Sequence, residues 1–196
     1  MTATDYSDTS RWSYHVDEAW YERLTGFVAT LGEDWPIADP TTTAEAAAYL
    51  HREARYVDEG RFNEWIDLFS DDCLYWVPIT AGSGDPRREV SHAFDDRRRL
   101  TDRVHWLRTG LAYCQIPRSR TRRLITNVEV LDDTTSGLRF IRSNVLVTEF
   151  RAGVTKLYSG WCGHVLRPKG EGWEIVLKQT NLLDSEHGHE NLTLVL

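Results

Sequence analysis

Trp161-Cys162-Gly163-His164 is the stretch of this chain whose residue types come nearest to metal chemistry. A Cys-x-His pair is half of the ligand set of an iron–sulfur centre held by two cysteines and two histidines. The other half needs a further cysteine, and none follows Cys162. On a strand, Cys162 and His164 share one face with Leu166, so the spacing reads as packing. The seven histidines are His15, His51, His92, His105, His164, His187 and His189, and they form no HExxH. A site of two histidines and one carboxylate needs convergent ligands. Only His187 and His189 are close, in the polar run SEHGHEN, which reads as a surface loop with at most an adventitious metal contact. GxGxxG, Walker and GxSxG patterns are absent, and GSGDP at 82–86 reads as a turn. No metal or cofactor site is expected in this chain.

General acid–base chemistry inside a cavity is the second candidate. Asp58 ends a helix, and Tyr75, His92 and His164 lie on predicted strands that would face such a cavity. Burial could tune a carboxyl there toward neutral pH. Against this, Val57-Asp58-Glu59-Gly60 reads as an exposed helix end. The arginines at 97–99, 103, 108, 118, 120, 122 and 123 form the other dense group, interleaved with Asp95, Asp96 and Asp102. Pairing at i,i+4 or subunit contact suits them better than nucleic acid.

The elements that must position these residues follow from periodicity. Trp20, Leu24, Phe27 and Leu31 make a helical stripe in an N-terminal arm, packed on its own domain or on a partner subunit. GEDWPIADP breaks the chain. A second helix begins with Thr42 and Glu45 as a capping box, and carries Ala46, Ala47, Leu50, Ala54 and Val57 on one face. Gly60 ends it, and a short helix carries Phe62, Trp65, Ile66 and Phe69. Ser70-Asp71-Asp72 reads as a corner before a strand, CLYWVPIT. EVSHAF is a short strand. Asp95 and Asp96 cap a third helix that buries Leu100, Val104 and Leu107 and stops at Gly110. After residue 118 four strand-like segments form a meander. The expected class is therefore α+β: a cone-shaped domain with a strongly curved, mostly antiparallel mixed sheet, wrapped on about three helices on one face. Residues 1–42 are expected to be an extension with one helix, and 43–196 the single domain.

At 196 residues, with 41% apolar and 27% charged residues, the chain is an ordinary globular one. A net charge of −7 argues against generic nucleic-acid or membrane-surface binding. No apolar run approaches the roughly 20 residues a bilayer requires. MTATDYSDTSRW lacks the features of a secretory signal. Cys73, Cys114 and Cys162 are scattered and odd in number, which suits reduced thiols in a cytoplasmic protein.

Residues 52–78, REARYVDEGRFNEWIDLFSDDCLYWVP, carry a more specific signal. With them go Arg99-Leu100-Thr101-Asp102-Arg103-Val104, Leu107-Arg108-Thr109-Gly110, Ser119-Arg120-Thr121-Arg122 leading to Leu124-Ile125-Thr126-Asn127-Val128, and the ending Asn191-Leu192-Thr193-Leu194-Val195-Leu196. In this order the blocks resemble the small, or beta, subunit of the aromatic-ring-hydroxylating dioxygenases (Rieske non-haem iron oxygenases), a nuclear-transport-factor-2-like fold. The resemblance covers about residues 43–196. It implies a chain without catalytic residues, trimeric within an α3β3 heterohexamer. It also implies an alpha subunit carrying a Rieske [2Fe–2S] cluster and mononuclear Fe(II). NADH would supply electrons through a reductase and often a ferredoxin, for cis-dihydroxylation of an aromatic compound. The same fold includes ketosteroid isomerases and scytalone dehydratase. A stand-alone acid–base lyase or isomerase using Asp58, Tyr75, His92 and His164 is therefore the alternative.

Overall fold

A computed structural model describes residues 18–80, 85–110, 113–189, 192 and 194–196. His15, the turn residues at 81–84, and Asn191 and Thr193 of the family-like ending lie outside them, as does the side chain of Cys114. The helices are α1 (Glu18–Leu31), α2 (Pro40–Asp58), α3 (Phe62–Ile66) and α4 (Arg97–Thr109). The strands are β1 (Phe69–Pro78), β2 (Ser91–Asp96), β3 (Arg120–Asp133), β4 (Leu138–Arg151), β5 (Val154–Lys169) and β6 (Gly172–Leu182).

The short connections between β3, β4, β5 and β6 make them one antiparallel meander. Ala152 and Gly153 both take positive φ, 49° and 84°, as a two-residue hairpin turn between β4 and β5 requires. β1 then inserts parallel to β6 and pairs antiparallel with β2, giving the order β2-β1-β6-β5-β4-β3. The sheet is mixed and mostly antiparallel, as expected.

Its shape differs from the expectation. The sheet is open, with β2 and β3 as free edges, and is not strongly curled. The physical reason lies in β1, where successive side chains feed two cores. Cys73, Tyr75 and Val77 enter the inner core with α2, α3 and α4, while Leu74 and Trp76 enter an outer core with α1. Helices therefore cover both faces, whereas a tightly curled sheet leaves its convex side to solvent. Leu24 and Leu31 of α1 are buried against Phe140, Val165 and Leu177. Each such side chain contributes roughly 1.5–3 kcal/mol. The seat for Leu31 is Gly163, where an added Cβ would lie 2.6 Å from the Leu31 Cδ1.

Boundaries also move: α3 stops at Ile66, short of Phe69, and β2 runs Ser91–Asp96 where 89–94 is expected. Helix α2 starts earlier than Thr42: Asp39 caps it, accepting from the Thr41 and Thr42 N–H groups at 2.9 and 3.0 Å, with Pro40 as the first helical residue. β1 starts at Phe69, so the acidic corner is part of the strand. Arg167 makes this possible by forking onto Asp72 at 2.9 and 3.1 Å. Helix α4 matches its expectation: Asp96 accepts from the Arg99 N–H at 2.8 Å, and Gly110 closes the helix with φ 67°.

Candidate functional site

The inner face carries a buried charged group that the sequence reading passed over. Glu53 lies in the α2 stripe one turn from Leu50 and Val57 and is only 3% exposed. Its Oε1 accepts from Lys178 Nζ at 2.6 Å and from Trp65 Nε1 at 3.1 Å. Its Oε2 accepts from His164 Nε2 at 3.1 Å. Burial, the largest single influence, pushes the Glu53 carboxyl up. The charges of Lys178 and His164 and their hydrogen bonds together outweigh it, so the group sits well below the usual carboxylate range. Burial likewise works against charge on Lys178, and Glu53 more than restores it. The pair is a closed, ionised couple. The signal was present in the sequence: 46, 50, 53 and 57 are spaced three or four apart, so Glu53 shares the apolar stripe.

The four residues of the acid–base reading do not converge. Asp58 accepts from Arg123 through both its guanidinium and its backbone N–H, the latter at 2.9 Å, and from Thr121 Oγ1 at 2.8 Å. It pins the end of α2 to the edge strand β3, and its side chain is only 9% exposed. Far from being an exposed helix end, this carboxylate is fully engaged. Tyr75 Oη accepts from the Leu196 N–H at 2.9 Å and donates to the Leu196 carbonyl at 3.3 Å, anchoring the segment 194–196 over the inner core. His92 Nε2 donates to the Ser185 carbonyl at 2.8 Å. His164 belongs to the Glu53 couple. The cavity between Glu53, Ser143, Cys162, His164, Lys178 and Leu196 measures about 10 Å³, room for a water and not for an organic substrate.

The lure around Cys162 resolves into packing. Cys162 Sγ lies 3.5 Å from Thr180 Oγ1, and burial pushes its thiol up. Burial raises Cys73 to about 12. Neither is in a disulfide. His187 is exposed, as a surface loop predicts, but His189 turns inward, its ring 5.1 Å from that of His92 and its Nε2 3.6 Å from Asp184. Among the described residues no three His, Cys, Asp or Glu side chains converge as a metal site. No helix among them is long and apolar enough to cross a membrane.

The arginines separate into two groups. Arg97 donates to the Ile66 and Phe69 carbonyls, Arg98 pairs with Asp102 at 3.0 Å, and Arg103 pairs with Asp95 at 2.6 Å. Arg118, Arg120 and Arg122 instead line an open cleft of about 540 Å³ beside the end of α2. Arg118 stacks on Phe62 at 5.3 Å and Arg120 on Phe150 at 4.8 Å. Gly60 has φ 71°, and an added Cβ there would meet Arg118 Nη2 at 2.5 Å. That glycine ends α2 and also lets the Arg118 guanidinium lie across it.

Comparison with known proteins completes the assignment. A family described as ring hydroxylating beta subunit matches residues 52–186. The chain belongs to this family. Relatives include the small oxygenase component of the p-cumate 2,3-dioxygenase system of Pseudomonas putida, 29% identical over 160 residues, covering 79% of this chain and 87% of that one. The beta subunit of biphenyl 2,3-dioxygenase from Rhodococcus jostii is 29% identical over 157 residues, 74% of this chain and 83% of that one. Among solved structures, the beta subunit of a Burkholderia mallei benzoate 1,2-dioxygenase aligns with TM-score 0.64 at 23% identity, over 82% of this chain and all (100%) of that one. A chain of naphthalene 1,2-dioxygenase with indole bound aligns with TM-score 0.72 at 20% identity, over 94% of this chain and 100% of that one. Both structural likenesses concern the fold. As a ring-hydroxylating β subunit, the protein supports catalysis carried out on an alpha subunit.

Proposed function

We propose that this β subunit is the non-catalytic base of an α3β3 dioxygenase that cis-dihydroxylates an aromatic compound. The observation that carries the reading is the closed inner face. Asp58, Tyr75, His92 and His164 each bind another part of their own chain, and the cavity beside His164 measures about 10 Å³. None of the four is then catalytic. The alpha subunit would hold the Rieske [2Fe–2S] cluster and the mononuclear Fe(II). NADH would deliver electrons through a reductase and a ferredoxin, in the cytoplasm. Three copies of this chain would associate and hold three alpha subunits in register.

Co-expression with the cognate alpha subunit tests this. The two should co-purify as a hexamer with iron on the alpha chain. The Asp58→Asn subunit, once assembled, should support unchanged turnover per hexamer. Loss of turnover in folded, assembled Asp58→Asn enzyme, or turnover by the β subunit alone, would restore the lyase alternative.

A further inference from the structure

Arg118, Arg120 and Arg122 are held in place without a carboxylate to bind. Their contacts are aromatic faces and, for Arg122, the Thr121 carbonyl at 2.9 Å and the Asp58 carbonyl at 3.5 Å. The two acids of the cleft are engaged elsewhere, Asp58 by Arg123 and Glu59 by Arg61 at 3.6 Å. The cleft is thus a local excess of positive charge on a chain whose net charge is −7. Stacked guanidiniums have already lost much of their freedom, so they bind a planar carboxylate at reduced entropic cost.

The apolar surroundings extend the site. Across the ladder Arg120 pairs with Phe150, Leu124 with Leu146 and Thr148 with Leu157, so these residues share the outer face of the sheet at its β3 edge. Helix α1 covers only the other half of that face. Leu124, Phe150 and Leu157 stay 53%, 39% and 63% exposed. Exposed apolar residues beside unpaired arginines have the composition of a protein interface. A two-fold pairing of two copies through this patch would place arginine rows against each other, which like charge opposes.

We propose that the cleft lined by Arg118, Arg120 and Arg122 receives a carboxylate-bearing segment of the alpha subunit, with Leu124, Phe150 and Leu157 as the apolar part of the contact. The inference rests on the α3β3 reading. Binding of the alpha subunit to wild-type and Arg118→Ala/Arg120→Ala/Arg122→Ala β subunit is measured across a salt series, with thermal unfolding of each β subunit alone. The triple variant should unfold at the wild-type temperature and bind about a hundredfold more weakly, with a flatter salt dependence. The triple Arg→Lys variant keeps the charge without the fork. It should bind with intermediate affinity and keep the salt slope. Equal binding by folded wild-type and variant proteins overturns the docking proposal and leaves the functional reading intact. Failure of wild-type β to bind its alpha subunit overturns the functional reading itself. Loss of β self-association, with alpha binding retained, assigns the cleft to a second copy of this chain and also overturns the proposal.

The inner face carries a second, independent inference. Arg123 Nε, Ser143 Oγ and His164 Nδ1 are buried without a hydrogen-bond partner, and all three residues line the cavity of about 10 Å³. His164 Nε2 is directed at Glu53, which leaves Nδ1 as its open position. Three converging polar groups are the usual complement of one buried water. We infer that a single ordered water bridges Arg123, Ser143 and His164, accepting from the guanidinium. A high-resolution crystal structure should show one density peak within hydrogen-bond reach of all three atoms. A cavity without that peak overturns the inference.

Discussion

Arg122 and Arg123 are neighbours on one strand and live in opposite circumstances. Arg123 points to the inner face, has a side chain only 3% exposed, and binds Asp58 and the Val195 carbonyl. Arg122 points away, is exposed, and touches only backbone carbonyls. The same contrast separates the two regions they belong to. On the inner face nearly every charge is matched within the chain, so those residues make the fold. In the edge cleft Arg118, Arg120 and Arg122 are positioned and unmatched, so those residues are available to another molecule. Strand alternation alone sorts adjacent identical residues into the two classes.

The largest effect that can break this contrast is Glu53→Ala. It leaves Lys178 buried beside an uncompensated cavity, and the expected loss is about 3–5 kcal/mol in chemical denaturation. A loss below about 1 kcal/mol would mean that the inner charges are solvated after all.

The pH response comes next. The folded-state pKa of Glu53 lies below its ordinary value of 4.5, so its contribution is complete above that pH and declines as pH falls further. Lys178 is shifted upward from 10.5, so its contribution persists through neutral pH and is lost only in strong alkali. Thermal unfolding followed from pH 6 downward should show a decline that is shallower in Glu53→Gln. Parallel curves for the two proteins would assign acid sensitivity to other groups.

A smaller change sits on the outer face. Gly163→Val places methyl groups where Leu31 packs, and should cost about 1–3 kcal/mol and loosen α1, read by hydrogen exchange of residues 18–31. Smallest is the cleft: each of Arg118→Ala, Arg120→Ala and Arg122→Ala should alter stability by no more than about 0.5 kcal/mol. A clearly larger cost at any one of them would move that arginine to the structural class.

How far the sequence reached follows the same division. Local signals held where a few neighbouring residues decide. Asp96 and Gly110 bracket α4, and Ala152-Gly153 turns the hairpin. Readings failed where the deciding partner is remote. Pro40 looked like a break because proline ends helices. It begins one here, because Asp39 supplies the cap. The acidic corner at Asp72 becomes strand because Arg167 neutralises it from β5. Asp58 looked exposed because Arg123 is 65 residues away. The unbroken apolar run of β1 was the available sign that both faces of the sheet are covered, and it was read for one face only. Glu53 was hidden by its charge, although its position in the α2 stripe was legible.

The glycine of the Cys-x-His look-alike has one further implication. Gly163 and Leu31 occupy a single steric slot shared between a strand and a helix that meet far from each other in sequence. Evolution can therefore enlarge one only by trimming the other. Across natural variants of this subunit the two positions should covary in volume, and where residue 163 carries a side chain, a small residue should stand at 31.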